Sequence, residues 1–141
     1  MSDIALATTD ADITACFPVM AQLRPHLTPE EFATRIRRQQ EGGFHLAALR
    51  SAGEVVALAG FRVLENLAWG RFLYVDDLVT SEARRSQGHG EALFDWLVAR
   101  ARAEGCAQLH LDSGVHRFGA HRFYLARRMD ITSHHFAMKL A

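Results

Sequence analysis

Apolar positions along the chain change period several times, and each change marks an element. Ile4 to Ala7 is a short apolar run with the length of an edge strand. Ile13, Phe17, Met20 and Leu23 then recur at helical spacing, with Thr9 or Asp10 placed to cap the helix and Pro25 to stop it. Thr28-Pro29-Glu30-Glu31 is a second helix start: Thr28 at the cap, Pro29 at the first position and Glu31 closing a capping box. Phe32 and Ile36 share one face of that helix, and Gly42-Gly43 ends it. Phe44 to Leu49 and Glu54 to Leu64 are β-like and joined by the turn residues Ser51 to Gly53, which predicts a hairpin. Gly70 to Thr80 is a third strand-like run. Leu93, Trp96, Leu97 and Ala101 form a helical stripe running to about Glu104, with Gly105 as its stop. Leu109 and Leu111 alternate with His110 and Asp112 as in a half-buried strand. Ala120 to Arg127 predicts a short helix, and Phe136, Met138 and Leu140 alternate as a last strand. The order β-α-α-β-β-β-α-β-α-β predicts an α/β fold with a mixed sheet and helices on both faces.

Composition narrows the function. A chain of 141 residues that is 49% hydrophobic can bury a core as one domain, 1–141. Sixteen basic and sixteen acidic residues cancel, so no global charge favours nucleic acid. No run approaches the roughly 18 apolar residues of a membrane span. The N-terminal stretch lacks the basic and apolar regions of a signal peptide. Cys16 and Cys106 lie far apart without CxxC spacing and are expected to be small core hydrophobes in a reducing cytoplasm.

The stretch RRSQGHGEALF, residues 84–94, sets two glycines at a helix start. Helix N-termini offer N–H groups and a positive dipole end to anions, and glycines remove the Cβ that keeps a phosphate away. A P-loop requires Lys and Ser or Thr after its last glycine, but Glu91-Ala92 follow here. A dinucleotide fingerprint requires a small residue where Leu93 stands and a tighter strand-to-helix turn. On local pattern alone, a glycine-rich cap without a ligand remains an equal reading.

The surrounding motifs resemble the GNAT family of N-acetyltransferases. Leu78-Val79-Thr80 is similar to the family's L-x-V strand end, and Arg85, Gly88 and Gly90 to its R-G-x-G-x-G/A loop, with Ser86 in place of a frequent glycine and His89 of a frequent Ile or Val. Phe123-Tyr124-Leu125-Ala126-Arg127-Arg128-Met129 resembles its L-Y-x-x-x-G-F signature, with Arg128 replacing the glycine and Met129 the phenylalanine. Residues 117–125 followed by Ser133-His134-His135-Phe136 are similar to the C-terminal part of aminoalkylphosphonate N-acetyltransferases. The resemblance implies a single domain with a mostly antiparallel central sheet and a splayed strand pair that binds acetyl-CoA.

On that resemblance, Arg85, Ser86, Gln87, Gly88, His89, Gly90 and Glu91 would hold the pyrophosphate of acetyl-CoA. Leu78, Val79 and Thr80 would lie along its pantetheine arm, with the Val79 N–H polarising the thioester. Arg117 would contact cofactor or an anionic substrate. Tyr124 would be the general acid. An ammonium near pKa 10 must lose a proton before attack, and Asp76 and Asp77 are the bases at hand, Asp77 narrowly favoured because it precedes Leu78. Strand alternation puts the two on opposite faces. The first two helices would wall the acceptor site, which brings in Arg24, Pro25 and His26 between them; in the second helix the run Arg35, Arg37, Arg38 reads first as cations near a helix C-terminus. His110, Asp112, His116, His121, His134 and His135 show no ligand spacing of known geometry, so no metal is expected. The expected partner is a small-molecule primary amine, and a homodimer through C-terminal strands is an arrangement the family implies.

Overall fold

Five strands form one sheet in sequence order: β1 (Ser2–Leu6), β2 (His45–Ser51), β3 (Glu54–Asn66), β4 (Gly70–Thr80) and β5 (Gln108–Leu111). Residues 2–141 are described by a computed structural model. The chain divides into two compact units, one ending at His110 and one beginning at Leu111. β1 to β4 pair antiparallel throughout, and β5 forms the far edge. Between β1 and β2 lie α1 (Asp10–Leu23) and α2 (Pro29–Glu41). A 3₁₀ turn at Glu82–Arg84 and α3 (His89–Ala103) link β4 to β5, and α4 (Phe118–Ala126) follows.

The helices sit where their caps allow. Thr9 accepts from the Asp12 N–H at 3.1 Å and starts α1. Thr28 occupies the cap of α2 with Pro29 behind it, but its hydroxyl makes no capping hydrogen bond, so the expected reciprocal box is not formed. Arg24, whose backbone leaves the helical region ahead of Pro25, closes α1.

Two apolar layers flank the sheet. On one face Ile13, Cys16 and Met20 of α1 and Phe32 and Ile36 of α2 pack with Leu46, Ala48 and Leu58. Alternation turns Ala47 and Leu49 to the opposite face, where Ala59 and Phe61 stand in register with β2. There the Phe61 ring meets Trp96 of α3 edge-on at 5.9 Å, and Leu93 and Leu97 are fully buried. Each such Leu, Ile or Phe contributes about 1.5–3 kcal/mol by leaving water. Helices on both faces are thus as expected. Cys106 is only half-buried, unlike Cys16, because it follows the end of α3 rather than lying on its buried stripe.

Within the unit from Leu111, α4 starts two residues earlier than its apolar pattern suggests. Residues 127–141 form neither helix nor strand. The expected last strand is absent, and Phe136, Met138 and Leu140 are exposed. Alternation marks a chain able to cover a surface, but a strand also needs a neighbour to take its N–H and C=O groups. Residues 112–141 contain no other strand.

Candidate active site

The site begins at an irregularity in the sheet. Phe61 stands opposite Val75 but Gly60 opposite Asp77, so Asp76 is an extra residue in β4. Such a β-bulge breaks the alternation of side chains and re-aims them. Asp76 and Asp77, expected on opposite faces, therefore both line one cavity of about 440 Å³. Gly60 makes room for this arrangement. A Cβ there would lie 2.6 Å from the Phe44 ring and 2.7 Å from Asp77 Oδ2, closer than real Cβ contacts allow. Phe44 lines the same cavity.

Two arginines hold the two acids in different ways. Arg62 Nε donates to Asp76 Oδ2 at 2.9 Å and Arg62 Nη2 to Gln39 Oε1 at 2.8 Å. The other Asp76 oxygen, Oδ1, is buried and has no hydrogen-bond partner among the described residues. Burial pushes the Asp76 carboxyl above its ordinary value, against the opposing pull of Arg62, and the neighbouring Asp77 charge pushes the same way. Arg24 Nε donates to Asp77 Oδ1 at 2.9 Å and Arg24 Nη2 to the Asp76 carbonyl at 3.1 Å. Each acid is thus ion-paired through one oxygen, Asp76 to Arg62 and Asp77 to Arg24, and the second Asp76 oxygen is buried without a partner among the described residues. The sequence preference is narrowly for Asp77, whereas burial raises the proton affinity of Asp76. Arg24, His26 and Arg35 line the cavity as acceptor-side candidates, joined by Tyr74, Gln39 and an apolar wall. Arg37 instead binds Asp10 at 2.8 Å. Sequence reasoning missed Arg62, Gly60 and Phe44; the one available signal was a glycine inside the apolar β3 run.

β4 continues through Leu78, Val79 and Thr80, opposite Ala59, Leu58 and Ala57. The Val79 side chain is part of the core, which fixes the backbone here, while Leu78 and Thr80 are half-buried. Arg84 is taken by Glu54, whereas Arg85 is exposed and forms no ion pair among the described residues. The loop then takes two left-handed steps, Ser86 at φ 64° and Gly88 at φ 81°. Gly88 caps α3, and Ala92 is the first helical donor, reaching the Gly88 carbonyl at 3.0 Å. The N–H groups of His89 and Gly90 precede it, at the positive end of the helix. A Cβ on Gly88 would meet nothing within 4 Å, so the space over this turn is open. His89 leans on Gln87, 3.3 Å between Nε2 and Oε1. Alternating left-handed backbone, a helix N-terminus, an exposed arginine and open space fit a diphosphate. A non-glycine residue at φ 64° also explains the departure at Ser86: the turn requires the conformation that a glycine adopts without strain.

In the unit from Leu111, Tyr124 lies on α4 and Arg117 caps that helix. Burial pushes the Tyr124 phenol above its ordinary value, while the nearby Arg117 guanidinium pulls the other way. The phenol therefore carries its proton at neutral pH. Arg128 takes the left-handed position after α4 at φ 67°: its N–H reaches the Leu125 carbonyl at 3.0 Å, and Met129 N–H reaches the Tyr124 carbonyl at 3.1 Å. That is a Schellman closure with arginine where the motif has glycine, and it anchors the Tyr124 backbone. Several histidines are already engaged. His121 Nε2 lies 2.8 Å from the Gly114 carbonyl, His135 Nδ1 lies 3.3 Å from Asp112, and His110 stacks on Trp69 at 3.6 Å. Neither thiol favours its thiolate. Burial pushes Cys16 up to about 12, and desolvation also raises Cys106.

A strand that leads through a glycine turn with open space into a helix N-terminus, on a sheet of this topology, is the architecture shared with acetyltransferases. The model of the Acetyltransferase (GNAT) family matches residues 8–129, and the chain belongs to that family, whose members are N-acetyltransferases using acetyl-CoA. It is 33% identical over 118 residues to an uncharacterized N-acetyltransferase, YhdJ, of Bacillus subtilis strain 168, covering 83% of each chain. Its fold matches a ribosomal-protein-alanine N-acetyltransferase from Brucella melitensis biovar Abortus 2308 with a TM-score of 0.86 at 19% identity, over 100% of both chains. It also matches an aminoglycoside N-acetyltransferase, AAC(6')-Iy, in complex with CoA, with a TM-score of 0.82 at 12% identity, over 100% of this chain and 96% of the other. No helix among the described residues is long and apolar enough to cross a membrane.

Proposed function

We propose that the protein transfers the acetyl group of acetyl-CoA to the primary amine of a small molecule by direct attack in a ternary complex. The observation that carries this reading is the desolvated Asp76 carboxylate, on a residue that lines a cavity two residues before the Leu78–Thr80 segment. A carboxylate whose affinity for protons is raised by burial is suited to take one from an ammonium. The loop Arg85–Glu91 holds the diphosphate of the co-substrate, which supplies an activated acetyl thioester. Leu78, Val79 and Thr80 line the pantetheine arm, and the Val79 N–H is the donor to the thioester oxygen. Tyr124, kept protonated, delivers a proton to the departing sulfur, with Arg117 orienting its hydroxyl. The absence of a thiolate-favouring cysteine among the described residues supports direct attack over an acyl-enzyme.

Thiol release from acetyl-CoA across a broad amine panel tests this reading. Turnover is expected with at least one amine, and it should vanish in Gly88→Trp together with the thermal shift produced by CoA. Binding of CoA with no turnover of any amine would instead assign a non-catalytic CoA-binding module.

A further inference from the structure

The cavity beside the bulge restricts which amine can enter. Its charged lining is two arginines, Arg24 and Arg35, and two aspartates, so with His26 neutral the formal charges cancel. A simple alkylammonium gains no net attraction in such a site. A zwitterion meets an opposite charge at each of its ends.

The placement of Arg24 narrows the choice. It donates to the Asp76 carbonyl at 3.1 Å and to Asp77 at 2.9 Å, which uses part of its donor fork and leaves the rest on a guanidinium that lines the cavity. Arg24 thus meets the backbone of Asp76 and the carboxylate of Asp77, so an anion on its remaining donors would sit on the same side of the cavity as the two acids, which suits an amine and a carboxylate on one carbon. Arg35 lies along α2 and is tied to Glu31 at 3.5 Å. Beside the polar His26, Gln39 and Tyr74, the uncharged wall is apolar, with Phe32, Ile36 and Phe44 each buried. A volume of about 440 Å³ is ample for a large side chain.

We propose that the acceptor is an α-amino acid with a large apolar side chain: its amine at Asp76, its carboxylate at Arg24, its side chain against Phe32, Ile36 and Phe44. This deepens the acetyl-transfer reading and rests on it. The balance is simple. The ammonium gives one proton to Asp76, a nitrogen–carbon bond forms as the thioester carbon–sulfur bond breaks, and Tyr124 protonates the departing CoA sulfur. Of the two protons left on nitrogen, one is lost to replace the Tyr124 proton while the other stays as the amide N–H. Asp76 returns its proton to solvent.

The test compares kcat/KM, by thiol release at saturating acetyl-CoA, for L-phenylalanine, L-leucine, L-phenylalaninamide, 2-phenylethylamine and 6-aminohexanoate. The amide's amine is less basic, so chemistry alone favours it and a preference for the acid must come from the site. The acids are expected to exceed the amide and the simple amine by about 10- to 100-fold, the range for a hydrogen bond to a charged group. Arg24→Gln should bring acid and amide within about threefold of one another. The wild-type ratios decide the matter if that variant does not fold. An amide or simple amine used as well as the acid overturns the proposal, in favour of a peptide N-terminus or a plain amine. So does 6-aminohexanoate outperforming phenylalanine, which would place the anion elsewhere. Acetylation of some other amine with none of the acids used overturns this inference alone. No turnover of any amine overturns the acetyl-transfer reading and this inference with it.

Discussion

Replacing Asp76 by Asn should separate catalysis from stability. The change keeps the shape and removes one charge. Because burial raises its pKa in the folded state, the native chain binds the proton more tightly than the unfolded chain. The charged form at neutral pH therefore opposes folding. Its contribution is most favourable below the unfolded pKa and is lost as pH rises toward the higher folded value. Asn takes that burden away. Arg62 keeps its bond to Gln39 at 2.8 Å and can still donate to the amide oxygen. The melting temperature of Asp76→Asn at pH 7.5 should therefore equal or exceed that of the wild type, and its advantage should shrink at pH 5. Catalysis should move the other way. Loss of a general base costs about 10²- to 10⁴-fold in rate, about 2.7–5.5 kcal/mol of barrier. Asp77→Asn is the control: it breaks the Arg24 ion pair, whose arginine is 43% exposed and so screened by solvent, and should cost less than about tenfold. Thiol-release kinetics and thermal melts at the two pH values measure both effects. A variant within threefold of wild-type activity refutes Asp76 as base. A melting temperature several degrees below wild type at pH 7.5 refutes the electrostatic argument.

Gly60→Ala forces a Cβ against Phe44 and Asp77. Denaturant unfolding should show a loss of about 1–3 kcal/mol, with kcat/KM falling as the acids shift; unchanged stability would mean that the bulge does not depend on this glycine. Ser86→Gly should leave CoA affinity unchanged or improved by calorimetry, whereas Ser86→Val, β-branched at φ 64°, should weaken it about tenfold or more. Tyr124→Phe should lower kcat by about 10²-fold while leaving the KM for acetyl-CoA near its wild-type value. A drop in KM-linked affinity alone would assign Tyr124 to binding.

The elements between Ile4 and Leu111 were legible because their burial pattern is local: helical stripes meet α1, α2 and α3, and alternation meets the strands. The loop was legible for the same reason, since Gly88 and the left-handed Ser86 answer to backbone sterics at their own positions. What periodicity cannot show is a change of register. A single inserted residue at Asp76 turns two neighbouring acids into one cavity, and the glycine that leaves room for it, Gly60, lies on another strand. The partners that distinguish Asp76 from Asp77 are likewise remote, Arg62 on β3 and Arg24 after α1. The alternating tail around Phe136, Met138 and Leu140 misled in the opposite sense: pattern alone does not supply a pairing strand.

Direct attack in a ternary complex is tested most simply by initial rates with both substrates varied, using the best acceptor found. Reciprocal plots should give intersecting lines, and the chain incubated with acetyl-CoA alone should gain no acetyl mass. Parallel lines, together with an acetylated chain, would contradict the account.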